Sequence, residues 1–156
     1  MPTRSVAFAA LALLAVACSP RRIPGTEIRE TDDTRAIFDA IHVYANAMQA
    51  EDTKGVLALV APDYFDTAGT QDPVDDVDAS RLATSLQADF DRVETLKLDL
   101  TIRDIRVEED RGYAEIFYDA FYRVQTPQGS VPRHDSDLHR IAFRKTEGNW
   151  KIVSGL

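Results

Sequence analysis

Near residue 94 the hydrophobic period of the chain changes, and that change limits the fold more than any other feature. Upstream of it, apolar residues recur at three- and four-residue steps. Ile37, Ile41, Tyr44 and Met48 predict a first amphipathic helix, preceded by Thr and acidic residues that suit a helix start. A second, shorter helix is expected from about Thr53, with Val56, Leu57, Leu59 and Val60 on its buried side and Pro62 stopping it. Residues 64–67 read as a short strand, and 68–77, holding Gly69, Pro73 and several Asp, as a loop. Leu82, Leu86, Phe90 and Val93 then mark a third helix. Downstream the period drops to two. Leu96, Leu98, Leu100 and Ile102 alternate with polar residues, while Ile105 and Val107 fall on the other parity, which predicts a β-bulge near Asp104. Three more strands are expected at 113–125, 137–145 and 149–154, separated by turns containing Gly. Helices ahead of an antiparallel meander define an α+β domain, with three N-terminal helices covering one face of a curved antiparallel sheet.

Ahead of this domain, Arg4 precedes an apolar run over 6–17 that is too short to span a bilayer as a mature helix and reads as an export signal. Ala15, Val16 and Ala17 lead into Cys18, the only cysteine. This resembles the lipobox of bacterial lipoproteins. That pattern usually has Leu three residues before the cysteine, where this chain has Ala15 with Leu14 one place earlier. The resemblance implies cleavage before Cys18 and acylation of that residue with chains such as palmitate, which would hold the protein on a membrane. Ser19 after the cysteine resembles the pattern sent on to the outer membrane, on its periplasmic side, in Gram-negative cells. An ordinary cleaved signal, leaving a soluble periplasmic protein with an incidental Cys18, is the alternative. Residues 19–33 hold Pro20, Pro24, Gly25 and mixed charges without a hydrophobic period, so they are expected to form a flexible tether. The organisation read here is signal peptide 1–17, lipidated cysteine and tether 18–33, and folded domain 34–156.

With a single cysteine, the domain has no internal disulfide and depends on packing for its stability. A composition of 44% hydrophobic and 28% charged residues is that of a globular chain with a real core. A net charge of -8 argues against a nucleic-acid partner, since binding phosphates needs clustered Lys and Arg. Asp72, Asp75, Asp76 and Asp78 lack the central Gly and terminal Glu of a calcium loop, and read as a solvated loop and a helix start. His42, His134 and His139 show no paired zinc spacing. No metal site is expected. There is also no phosphate cradle, nucleophile elbow or thiol for covalent catalysis, and no cofactor is expected.

Three segments carry a further resemblance: Tyr44-Ala-Asn-Ala-Met-Gln-Ala-Glu-Asp, Leu57-Ala-Leu-Val-Ala-Pro-Asp-Tyr-Phe and Gly148-Asn-Trp-Lys-Ile-Val-Ser. Together they resemble the nuclear transport factor 2-like, or SnoaL-like, superfamily over residues 34–156. The resemblance implies a cone-shaped fold with a pocket between helices and sheet, and often a dimer through the sheet's outer face. Set against ketosteroid isomerase within that superfamily, Tyr44 matches the oxyanion-binding tyrosine. The proton-moving aspartate falls on Ala68, with Asp66 two residues earlier on the same strand face, and the donor aspartate falls on His139. The candidate catalytic set is therefore Tyr44, Asp66 and His139, in which Tyr44 and His139 would polarise a carbonyl while Asp66 relays a proton.

Residues 113–122 put aromatics on both faces of one strand. Tyr118 and Tyr122 share a face with Ala114, Ile116 and Ala120, and Phe117 and Phe121 take the other. If the small-residue set lies under the helices, Phe117 and Phe121 form a partner or homodimer surface, unless neighbouring side chains cover them. The function expected is a non-enzymatic envelope lipoprotein that binds a small apolar molecule or a protein. A proton-transfer enzyme (isomerase, dehydratase or cyclase) using the same pocket is the alternative.

Overall fold

A computed structural model describes residues 20–70 and 72–156. The expected signal peptide and Cys18 lie outside the described residues. The first helix, α1 (Asp32–Gln49), begins at a capping box built from two threonines: the Thr31 hydroxyl accepts from the Thr34 amide at 3.1 Å and the Thr34 hydroxyl from the Thr31 amide at 2.9 Å. Asp32 and Asp33 sit in its first turn, where the helix dipole favours negative charge. The second helix, α2 (Thr53–Leu57), is capped by Asp52, and its Val56 is fully buried. Two short strands, β1 (Phe65–Asp66) and β2 (Val77–Asp78), pair with each other across the 67–76 loop. Asp78 then caps α3 (Ala79–Phe90) by accepting from the Arg81 amide at 2.8 Å.

Four strands follow as an antiparallel meander: β3 (Val93–Glu108), β4 (Arg111–Thr126), β5 (Gly129–Thr146) and β6 (Asn149–Ser154). The register of β3 on β4 shifts between Ile102 and Asp104, as the parity change predicts. The bulge lets Ile102 and Ile105 both face the helices, and both are buried. β6 spans the expected residues. β5 starts eight residues earlier than the apolar alternation suggests, because its first half, including Pro132, His134 and Asp135, extends where both faces meet solvent and no burial imposes a pattern.

α1 lies across the sheet with Ile37 and Ile41 fully buried. Its approach depends on Gly112 of β4, where a Cβ would come within 2.7 Å of the Ile37 Cδ1. Ala114, Phe143, Trp150 and Ile152 complete this end of the core. Asp33 fastens the helix to the sheet: its carboxylate accepts from Trp150 Nε1 at 2.9 Å and from Lys145 Nζ at 2.7 Å. The hydrogen bond from Lys145, followed by that from Trp150, holds the Asp33 pKa below the ordinary carboxylate value.

The expected tether through Asp33 is corrected by the structure. Residues 21–30 form a small hairpin in which the Ile23 amide donates to the Ile28 carbonyl at 2.9 Å and the Glu30 amide to the Arg21 carbonyl at 2.7 Å. Ile23 and Ile28 are 1% and 4% exposed and belong to the main core. Two isolated isoleucines between Pro, Gly and charged residues show no period, so only their tertiary contacts reveal the segment as part of the domain. Truncating Ile23 to Ala is therefore expected to destabilise the domain by about 2–5 kcal/mol, as for other buried Ile or Leu deletions. Urea unfolding monitored at the single Trp150 checks this, because the same change in a solvated tether would leave the midpoint unmoved.

Candidate functional site

At the C-terminal end of α1, helices and sheet separate around a cavity of about 340 Å³. Tyr44 and Met48 enter from α1, Leu86, Asp89 and Phe90 from α3, and Leu96 and Leu98 from β3. β4 contributes the set that lies under the helices, with Ala120 at the floor between Tyr118 and Tyr122. Pairing of Ile116 with His139 turns His139 to the same face of β5. Gly155 and Leu156 close the far wall. The lining is predominantly apolar. It holds no Lys or Arg, and its one acidic side chain, Asp89, is 65% exposed and lies 3.5 Å from Arg92.

Tyr44 is half-buried and, among the described residues, its hydroxyl has no hydrogen-bond partner. Burial, then the neighbouring Tyr64 and Tyr118, push its pKa up to about 12, so it stays a neutral donor at physiological pH. His139 Nε2 lies 3.0 Å from the Gly155 carbonyl oxygen. A carbonyl only accepts, so this contact puts a proton on Nε2, and in the neutral imidazole Nδ1 is then the acceptor. The Tyr118 hydroxyl donates to Asp135 at 3.1 Å, and burial followed by that bond raises its pKa.

Asp66 sits outside this lining. One of its carboxylate oxygens accepts from the Ala68 amide at 2.8 Å and the other from the Gly155 amide. Beside it, the Tyr64 hydroxyl accepts from the Leu156 amide at 3.0 Å and donates to the Leu156 carbonyl at 3.1 Å. Tyr64 and Asp66 thus clamp residues 155–156 as a partition between the cavity and a second cleft of about 540 Å³ that contains Asp66. The fold brings Tyr44 and His139 to one cavity and sets Asp66 behind the partition, while His139 borders both spaces. Gly155 is required at the partition: its φ is +91°, and a Cβ would lie 2.2 Å from the Arg140 carbonyl oxygen. Sequence reading missed both Gly155 and Tyr64. A lone glycine after the last strand was the only local signal.

The opposite sheet face carries Phe117 and Phe121. The Arg103 guanidinium lies over the Phe117 ring at 5.7 Å, and Phe121 stacks on His134 with centroids 4.1 Å apart. Cover is incomplete, since Phe121 and Leu138 remain about half exposed. In the acidic loop, Thr70 donates to Asp75, Asp72 accepts from the Val74 amide, and Asp78 caps α3. Among the described residues no three metal-ligating side chains converge.

Two outcomes follow from the partition and the buried phenols. Replacing Gly155 with Ala is expected to lower the thermal midpoint and loosen residues 155–156, seen as faster exchange of their amide hydrogens. Phenols of an unfolded chain ionise near pH 10, whereas Tyr44 and Tyr64 keep their protons to about 12. Between those values the unfolded state loses protons that the folded state retains, so stability is full below pH 10 and declines toward pH 12. Urea midpoints across that range check the decline, and Tyr44→Phe should make it shallower.

This architecture recurs widely. A conserved protein from Planctomyces limnophilus has a TM-score of 0.65 at 16% identity, over 80% of this chain and 98% of that one. A ketosteroid isomerase-like protein from Erwinia carotovora atroseptica has a TM-score of 0.64 at 17% identity, over 80% and 93% of the two chains. The Kfla4162 protein from Kribbella flavida has a TM-score of 0.66 at 14% identity, over 79% and 87%. At these identities the likeness concerns the fold. No curated protein matches the sequence. Residues 37–155 match the SnoaL-like domain, and with its helices on a four-stranded antiparallel sheet this chain belongs to that family, within the nuclear transport factor 2-like fold.

Proposed function

We propose that this chain is an exported lipoprotein, anchored through Cys18, whose domain binds a small, neutral, largely apolar molecule in the cone cavity. The observation that carries the binding reading is the cavity itself: about 340 Å³, walled by aliphatic and aromatic side chains, with the phenol of Tyr44 unpartnered among the described residues and free to orient a ligand oxygen. An anionic ligand is disfavoured, because no cation lines the space and Asp89 stands at its edge. Binding without turnover is the reading preferred over catalysis. A proton relay needs a carboxylate or equivalent base beside the oxyanion donor, and Asp66 accepts two backbone amides on the other side of the partition.

The second reading is proton transfer. It draws on Tyr44 and His139 sharing the cavity, with His139 Nδ1 as the base. It also draws on the resemblance of the fold to a ketosteroid isomerase-like protein.

A neutral, environment-sensitive naphthyl ketone dye is expected to bind saturably with a blue-shifted emission. Ala120→Leu, which fills the floor, should weaken it at least tenfold, and Tyr44→Phe by roughly 2- to 12-fold, the worth of one hydrogen bond. Affinity unmoved by Ala120→Leu would remove the cavity as the site. Solvent deuterium entering the α-carbon of a bound cyclic ketone, and lost on His139→Ala, would favour the enzyme. For the anchor, Cys18→Ser is expected to move the protein from the membrane pellet to the soluble envelope fraction. An unchanged distribution counts against lipidation.

A further inference from the structure

We infer that the 21–30 hairpin is the membrane-facing end of the domain and that the cavity lies at the end away from the bilayer; this rests on the proposed lipidation of Cys18. The chain between anchor and fold is short. The hairpin's hydrogen bonding already includes Arg21, whose carbonyl accepts from the Glu30 amide. Only residues 19 and 20 intervene, so even fully extended the cysteine lies within about 11 Å of the hairpin. A domain so held has little freedom to invert.

The ends of the domain are distinct. The hairpin runs directly into the α1 N-cap at Thr31, and the Thr34 hydroxyl donates to the Arg29 carbonyl at 2.8 Å, which places it at the helix start. The β3–β4 and β5–β6 turns lie at that same end, because Gly112 abuts Ile37 and Trp150 bonds Asp33. Tyr44 and Met48 line the cavity ten and fourteen residues beyond Thr34, roughly 15 and 21 Å along the axis. Beside them run the distal halves of β4 and β5, which continue to the turn at Pro127 and Gln128.

The chemistry of the near end selects the kind of surface. Arg21 and Arg22 stand next to the anchor, paired with Glu30 and Glu27. The adjoining turns carry Glu108, Glu109, Asp110 and Glu147. Paired and mixed charges of this kind fit a zwitterionic headgroup layer, and a strongly anionic layer would repel the acidic turns. A ligand would then reach the cavity through the aqueous phase or from a soluble partner, instead of sliding in from the lipid.

The test uses the full lipidated chain in phosphatidylcholine vesicles containing a headgroup-spin-labelled lipid, with a fluorophore on Glu27→Cys or, separately, on Gln128→Cys. Cys18 is blocked by its lipid. The expected result is quenching severalfold stronger at position 27 than at 128. Equal or inverted quenching, with both variants still binding the naphthyl dye, overturns the orientation. Mass measurement of the N-terminal peptide separates the two ideas: no lipid on Cys18 sinks the anchor and this inference with it, whereas lipid present with inverted quenching sinks the orientation alone.

Discussion

The contact on which the rest of the structure depends is the close approach of α1 to β4, made possible by the missing side chain at Gly112. Ile37 fills that space and Ile41 follows one turn later, both with no exposed surface. Burying each is worth about 1.5–3 kcal/mol. Because the helix is pinned at its N-terminal end, and Asp33 adds hydrogen bonds from Trp150 and Lys145 at the same place, helix and sheet diverge toward the other end. The β3 bulge preserves the buried face where the sheet curves. The cavity is the space that divergence leaves under Tyr44 and Met48.

The second constraint is the partition at Gly155 and Leu156. It is backbone, so its polar groups need partners, and Asp66, Tyr64 and His139 supply them. A carboxylate that accepts two amide protons is satisfied where it is. Asp66, the carboxylate two residues from the position where the resemblance sets a proton-moving aspartate, is therefore engaged in the wall of the pocket. His139 is turned in the same way, through Nε2, yet keeps a second ring nitrogen. The polar character of the cavity thus comes from the phenols of Tyr44, Tyr118 and Tyr122, the His139 ring and Asp89 at the edge, in an otherwise apolar shell.

Much of this was legible in the residues. The period change marked helices before strands, the parity slip between Ile102 and Ile105 located the bulge, and the closing strand was read to its limits. Segments went unread where local pattern carried no information. Ile23 and Ile28 are buried by the domain they touch and by nothing in their own sequence. The first half of β5 continues because β4 offers it a partner along its length, although Pro132 and its charged neighbours resemble a loop.

What the sequence by itself determined is the order and kind of elements, the α+β class, the aromatic alternation of β4 and the presence of a cysteine in a lipobox-like setting. These depend on spacings of a few residues, which a linear pattern records. Only the tertiary structure decided that Tyr44 and His139 share a cavity, that Asp66 stands behind a wall, and that the supposed tether is part of the core. Those facts join residues some ninety positions apart, Asp66 to Gly155 and Tyr44 to His139 among them, and depend on tertiary packing that no local period encodes.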